Sequence, residues 1–465
     1  MATAPRNELP AMFWTLVGLV VIAPLPFGSV DSWSWGLLSL LVGGLLLIWA
    51  GRVLLGWQTP AFGLKSAWPL LVPFLAVAAW AWLQTRAGLL PAAWDHPLWD
   101  LAGGALGWQL PATISVDPYH TGAALLRLLA YGGVFWLAYQ LCARTSRART
   151  ALVWISYAAV VYAVYGLLMY FLGLDLILFF QKTAYLEDLT ATFVNRNSFA
   201  TYAGLGLICM TGLIMVLITQ SAGSRGTVNT EGVLRIIETI AERGWPLILG
   251  WLALLLALLL SHSRAGLLST LVGLGVFLAA AGLTRAVNRR LALAVGAVAS
   301  ALIVLFLALN GDALVRRLLT TSLGDEDRPV VYARVTEAVR DSGNLGTGYG
   351  TFEEIFRFYR TPEIQGTFTK AHNVYLENML ELGVPAAAIL AAAVAVLFVL
   401  CAIGIRRRRQ NAVYPCVGLA ATVVVAVHSL VDFSLQIPAV AMTYAMIMGL
   451  ACAQCRSSRR PDDPW

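Results

Sequence analysis

Val384-Pro385-Ala386-Ala387-Ala388-Ile389-Leu390 opens a run that continues without a charged residue to Leu400-Cys401-Ala402-Ile403 and stops at Arg406-Arg407-Arg408-Arg409. At about 1.5 Å of rise per residue, a helix over 384–403 reaches roughly 30 Å, the hydrocarbon thickness of a bilayer. Arginines clustered beyond one end mark that end as cytoplasmic. The opposite end has another character, because Lys370-Ala371-His372-Asn373-Val374-Tyr375-Leu376-Glu377 lies just upstream. An imidazole, an amide and carboxylates thus gather where the chain returns to lipid, on the face away from the arginines. That placement suggests chemistry on a membrane-bound substrate.

The pattern recurs along the 465 residues, which are 59% hydrophobic and 12% charged, with a mean hydropathy of +0.73. A soluble domain is nearer half apolar and a quarter charged. A transmembrane barrel needs short alternating segments, whereas these runs are continuous. The fold class expected is an all-α polytopic membrane protein of about 12 spans, at 11–29, 34–54, 67–85, 122–141, 151–172, 197–218, 246–260, 264–283, 291–309, 384–403, 412–430 and 437–454. No cleavable leader is expected, because the first run holds Pro24 and Pro26 without a small-residue cleavage site. With both termini cytoplasmic, Arg144/Arg147/Arg149, Arg225/Arg235/Arg243, Arg285/Arg289/Arg290, Arg406–Arg409 and Arg456/Arg459/Arg460 all fall inside. The net charge of +7 therefore reports topology and implies no nucleic-acid partner.

Three outer segments follow. Residues 86–121 carry Trp94, Trp99 and Trp108 and read as an interfacial belt. Residues 173–196 begin apolar and lead into Asn195-Arg196-Asn197. Residues 310–383 are far longer than a connector, and loops of that size are usually functional. Helical spacing is expected over 329–341, 351–360 and 371–382, the last continuing into the tenth span, with Gly346, Gly348 and Gly350 as a flexible turn. The division expected is 1–309 for nine spans, 310–383 for a large outer catalytic loop, and 384–465 for three spans and a cytoplasmic tail.

All five histidines fall outside or near outer span ends, whereas the six cysteines lie in spans or inside, so no outer disulfide is available. Cys452 and Cys455, at an inner helix end, read as incidental. In Ser261-His262-Ser263-Arg264-Ala265-Gly266, Arg264 stands at a membrane boundary, either snorkelling or clamping an anion. Arg328 starts a loop helix and can grip phosphate with its guanidinium fork, or pair with Asp325 or Asp327. Asp325-Glu326-Asp327 also spells a D-x-D metal pattern; that reading is disfavoured because nucleotide sugars are cytoplasmic. His372 suits proton abstraction near neutral pH, with Glu377 and Glu381 on one face of the following helix. His428 and Asp432 are expected as an i,i+4 pair near the outer end of the eleventh span.

These stretches together resemble the O-antigen ligase/polymerase family of bacterial surface-glycan assembly (WaaL-like and Wzy-type). The likeness runs from about residue 115 onward. It rests on Phe193-Val194-Asn195-Arg196-Asn197-Ser198-Phe199-Ala200, Ser263-Arg264-Ala265-Gly266, Arg328 with Gly346 and Gly348 downstream, His372-Asn373-x-Tyr375-Leu376 with Glu381-x-Gly383, and His428-Ser429-Leu430-Val431-Asp432-Phe433. Tyr332 departs from the Trp of many relatives.

The resemblance implies a GT-C-like glycosyltransferase of the bacterial inner membrane. It would move glycan from an undecaprenyl-diphosphate-linked oligosaccharide to an acceptor on the periplasmic face, with inversion and without metal or other cofactor. Arg264 and Arg328 would clamp the diphosphate and His372 would act as base, with Glu381 the weaker alternative. Asn195, Arg196, Asn197, Asn373, Glu381, His428 and Asp432 would contact substrate. The Phe193 and His428 stretches favour a polymerase over a ligase to lipid A–core; transfer to protein hydroxyls is a third outcome. Implied partners are the lipid-linked donor, a glycan or lipid-linked acceptor, membrane lipids and other polysaccharide-assembly proteins. A transporter or flippase is the competing class, but charge gathers at one face and no halves repeat.

Overall fold

The computed structural model describes residues 10–221, 238–284, 328–364, 366–408 and 411–455. The expected ninth span, most of the inner 231–242 segment, the Asp325-Glu326-Asp327 pattern, and Arg225, Arg235, Arg285, Arg289, Arg290, Arg409, Arg456, Arg459 and Arg460 lie outside the described residues.

The chain is built from helices α1 (Pro10–Ile22), α2 (Ser32–Leu54), α3 (Leu64–Gln84), α4 (Leu98–Leu106), α5 (Pro118–Leu141), α6 (Thr145–Phe171) and α7 (Arg196–Ser221). They continue with α8 (Trp245–Leu260), α9 (Arg264–Gly282), α10 (Arg328–Asp341), α11 (Phe352–Tyr359), α12 (Val374–Leu382), α13 (Val384–Arg407), α14 (Val413–His428) and α15 (Pro438–Ala453). A minimal antiparallel hairpin, β1 (Leu176–Ile177) with β2 (Phe180–Gln181), sits between α6 and α7. Among the described residues, eight helices are long and apolar enough to cross a membrane; α1, α14 and α15 are shorter and apolar. The first span is shorter than expected. Its helix ends at Ile22, because Pro24 and Pro26 lack the N–H groups that would continue it.

In α7, 89% of the most apolar window is buried, against 17% in α2 and in α13, so α7 is the central helix and the other two are peripheral. Leu40, Leu47 and Leu54 on α2 accordingly point outward, the arrangement expected where lipid replaces a protein neighbour. Inner contacts use small residues: a Cβ on Gly449 of α15 would stand 2.5 Å from the Cβ of Ala138 on α5. At one end of the bundle, Gln454 donates to Cys142 O at 2.8 Å and accepts from Thr145, while Arg408 donates to Gln454 O at 2.7 Å.

The other end carries the long loops. There α10, α11 and α12 form their own small core, including Val331, Val335, Phe352, Phe356 and Leu380. The helix over 371–382 does not run on into the span, because Gly383 (φ 80°, ψ 153°) breaks α12 from α13. A side chain there would strike Asn344 O. The three glycines expected as a flexible turn also have a steric purpose. All have positive φ, and side chains at Gly346 and Gly348 would collide with Glu381 O and Ser115 Oγ. Gln84, at the end of α3, holds this segment to the bundle. It donates to Leu345 O and Glu381 O, both at 2.9 Å, and accepts from Tyr349 N at 3.2 Å.

Candidate functional site

Polar side chains at four chain reversals meet at this loop end. They come from the start of α7, the α8–α9 turn, the segment after α14, and the start of α12. Asp432 is their hub and is 1% exposed. Its Oδ1 accepts from Asn197 Nδ2 at 3.1 Å and faces His372 Nδ1 at 3.4 Å; its Oδ2 accepts from Ser434 N at 2.9 Å and from the Ser434 hydroxyl. Burial works to raise the Asp432 pKa, but the His372 and His428 rings and the Ser434 hydroxyl outweigh it and hold the carboxyl below its usual range.

Asn197 relays this hub to the α8–α9 turn. Its Oδ1 accepts from Ser263 Oγ at 2.7 Å, and Ser263 Oγ in turn caps α9 by accepting from Gly266 N at 3.2 Å. Arg264, exposed, is the first residue of α9 beyond this cap. Arg328 opens α10 and donates to Val431 O at 3.1 Å, next to the hub. Ser263, Asn197, Asp432 and His372 therefore form one continuous polar chain, with Arg264 and Arg328 adjoining it in sequence or by contact.

His372 itself is held from three sides. Its main-chain oxygen accepts from Tyr332 OH at 2.9 Å, its ring meets Phe433 edge-on at 4.9 Å, and Phe368 lies 6.0 Å away. Its φ of 53° is in the left-handed region, as is the 52° of His262. Strain of about 1–3 kcal/mol at a non-glycine residue persists only where the surroundings impose it.

Several expected substrate contacts have other partners. Asn195 Oδ1 accepts Asn197 N at 2.7 Å in the first turn of α7, and Asn373 Oδ1 caps α12 through Tyr375 N and Leu376 N at 3.0 and 3.1 Å. The side-chain oxygens of both asparagines are thus engaged as helix caps. His428 is 1% exposed and shares its Nδ1 with the Thr201 hydroxyl; α14 ends at His428, so Asp432 does not lie one turn further on the same helix. Glu381, 2% exposed, accepts Phe352 N at 3.0 Å, and Glu377 holds Lys370 and the Ala371 amide. These contacts tie the loop's own core together and do not join the His372 chain.

Burial first, then the neighbouring Glu377 carboxylate, push Glu381 up to about 8. An acid raised in the folded state destabilises it increasingly as pH climbs from the ordinary value toward the raised one. Glu381→Gln keeps the acceptor and removes the charge. It should therefore gain stability over the parent at pH 8, on the order of a few kcal/mol, and little at pH 5, read by thermal unfolding at both pH values.

One residue had no place in the sequence reading. Asp188, half-buried in the loop before α7, accepts from Arg196 Nη1 at 2.9 Å and pairs with His262 Nδ1 at 2.8 Å. Burial works against its charge, but His262 and Arg196 together lower its pKa. Arg196 also lies 5.5 Å from the Tyr185 ring. The contact of Asp188 with His262 is separated by 74 positions, and only the acidic pair Glu187-Asp188 in an outer loop hinted at it. Asp188 also lines a cavity of about 390 Å³ with Tyr170, Asp175, Lys182, Glu187 and Thr190.

Compared with known families, residues 248–391 match the model described as O-antigen ligase (Wzy_C). The matched region holds His262, Arg264, Arg328 and His372, and it excludes Asn197 and Asp432. No curated protein matches the chain.

Proposed function

Membership of the O-antigen ligase/polymerase family, supported by the match over residues 248–391, is the premise on which we propose a periplasmic-face glycan polymerase. A membrane glycosyltransferase of O-antigen ligase/polymerase type is supported by that match together with the eight membrane-length apolar helices among the described residues. Within that class the donor glycan is carried on undecaprenyl diphosphate, the acceptor is a carrier-linked glycan, and transfer inverts the anomeric carbon. The observation that carries it is the buried Asp432 carboxylate beside His372.

A sugar diphosphate already has a good leaving group. What remains is to deprotonate the acceptor and hold the departing charge. With His372 Nδ1 turned to Asp432, the second ring nitrogen takes the acceptor proton and the carboxylate stabilises the imidazolium so formed. The acceptor oxygen bonds to the anomeric carbon as the bond to the diphosphate oxygen breaks. Arg328 and Arg264 take up the released charge, with Arg196 nearby. Asn197 keeps Asp432 in place, and the cavity beside Asp188 gives room for sugar units.

Tyr332→Phe removes the hydrogen bond to the His372 carbonyl. At about 1 kcal/mol this should slow transfer about fivefold without loss of the folded protein, as measured with purified protein and lipid-linked glycan.

The matched family's description as a ligase favours one second reading, transfer to lipid A–core. The surface glycan of a deletion strain separates the two. Single repeats on the lipid acceptor mean a lost polymerase, whereas carrier-linked polymer that never reaches the core means a lost ligase and overturns the first reading.

A further inference from the structure

We infer that Asp117, His120 and Glu354 form a divalent-cation site of the zinc class, which joins the start of α5 to α11. It lies outside the polar chain of His372, Asp432, Asn197 and Ser263 and rests on different observations. His120 Nδ1 stands 2.8 Å from Asp117 Oδ2 and 3.2 Å from Glu354 Oε1, and one donor atom from each residue lies within 4.8 Å of the other two. With metal–ligand bonds of about 2.0–2.2 Å, tetrahedral neighbours are about 3.3–3.6 Å apart. The nitrogen–Glu354 distance is thus already close to a coordination edge, and the Asp117 distance has to open by roughly half an ångström.

The charge balance points the same way. Two carboxylates face one ring nitrogen, which has at most one proton to give. Among the described residues no lysine or arginine is ion-paired with either acid, and Glu354 Oε2 is buried without a hydrogen-bond partner. A cation at the triad supplies the missing positive charge. One imidazole with two carboxylates suits zinc better than magnesium or calcium, which take oxygen ligands.

The backbone around the triad is already fixed. Asp117 Oδ1 caps α5 by accepting His120 N at 2.9 Å, and Pro118 occupies the first helical turn. The segment leading to Glu354 is pinned to the same place. Val116 N donates to Thr347 O at 2.9 Å, and a side chain at Gly350 would stand 2.7 Å from Ala124 Cβ. Only the three side chains need to adjust. The His120 side chain is 52% exposed, so the remaining coordination positions open to solvent and the ion exchanges freely.

Titration of the full-length, metal-stripped protein with Co²⁺, followed by displacement with Zn²⁺, tests this. The expected result is one saturable equivalent with the visible absorption of a nitrogen–oxygen site, together with a raised thermal midpoint. His120→Asn and Glu354→Gln should each abolish that spectrum and the midpoint shift. Asp117→Asn, which keeps the helix cap, should weaken binding at least about tenfold. Intense thiolate-to-cobalt bands, which would assign the ion to cysteines, overturn the proposal. So does a spectrum unchanged in Glu354→Gln and His120→Asn.

Discussion

His372→Ala should lower glycan transfer by about 10²–10⁴-fold while the protein still inserts and accumulates, the usual cost of losing a positioned general base. The argument for selective loss is local. The ring is 19% exposed and contributes one carboxylate pairing and aromatic contacts, whereas the Tyr332 bond goes to the main chain and survives the substitution. The backbone at φ 53° disfavours alanine somewhat, so His372→Asn is the better control. Asparagine tolerates left-handed backbone and still cannot serve as a base at neutral pH. Transfer at the parental rate by both variants would end the base assignment.

Asp432→Asn tests the hub and should act on rate and stability together. Transfer should fall about 10²-fold, because an amide cannot balance an imidazolium and its N–H groups would face donors. Stability should fall by roughly 1–3 kcal/mol at pH 7, the cost of mismatched buried partners. The pH dependence carries a definite sign. The Asp432 pKa is depressed in the folded protein, so its contribution is fully present above the ordinary carboxylate value. It is lost as pH falls below that value toward the depressed one. The gap in thermal midpoint between parent and variant should therefore be constant above about pH 4 and close below it. A gap independent of pH would mean that Asp432 contributes packing alone.

The membrane helices were legible because each is a continuous apolar run, and a span of that kind announces itself locally. The tenth span at 384–403 and the helix Val384–Arg407 start at the same residue, and the loop helices at Arg328 and Phe352 followed from local spacing. The site was legible only as a set of residue types at loop ends. Its connections were not: Asn197 and Asp432 are 235 positions apart, and nothing in either neighbourhood encodes the other. Local spacing also left two asparagine roles open. Asn195 and Asn373 precede helices, where an asparagine is as good a cap as a ligand, and capping uses their side-chain oxygens here. His428 and Asp432 are not one helical turn apart, because the helix stops at His428; they act on each other electrostatically across the reversal that follows.

The amide of Gln84 has a consequence for how substrate comes and goes. One side chain of a bundle helix holds three main-chain groups, one just before the glycine turn, one within it and one near the end of α12. Breaking three hydrogen bonds at once, at about 1 kcal/mol each, opposes lifting this segment off the bundle. On the proposed function, lipid-borne reactants and product would then exchange by a route that leaves this segment in place.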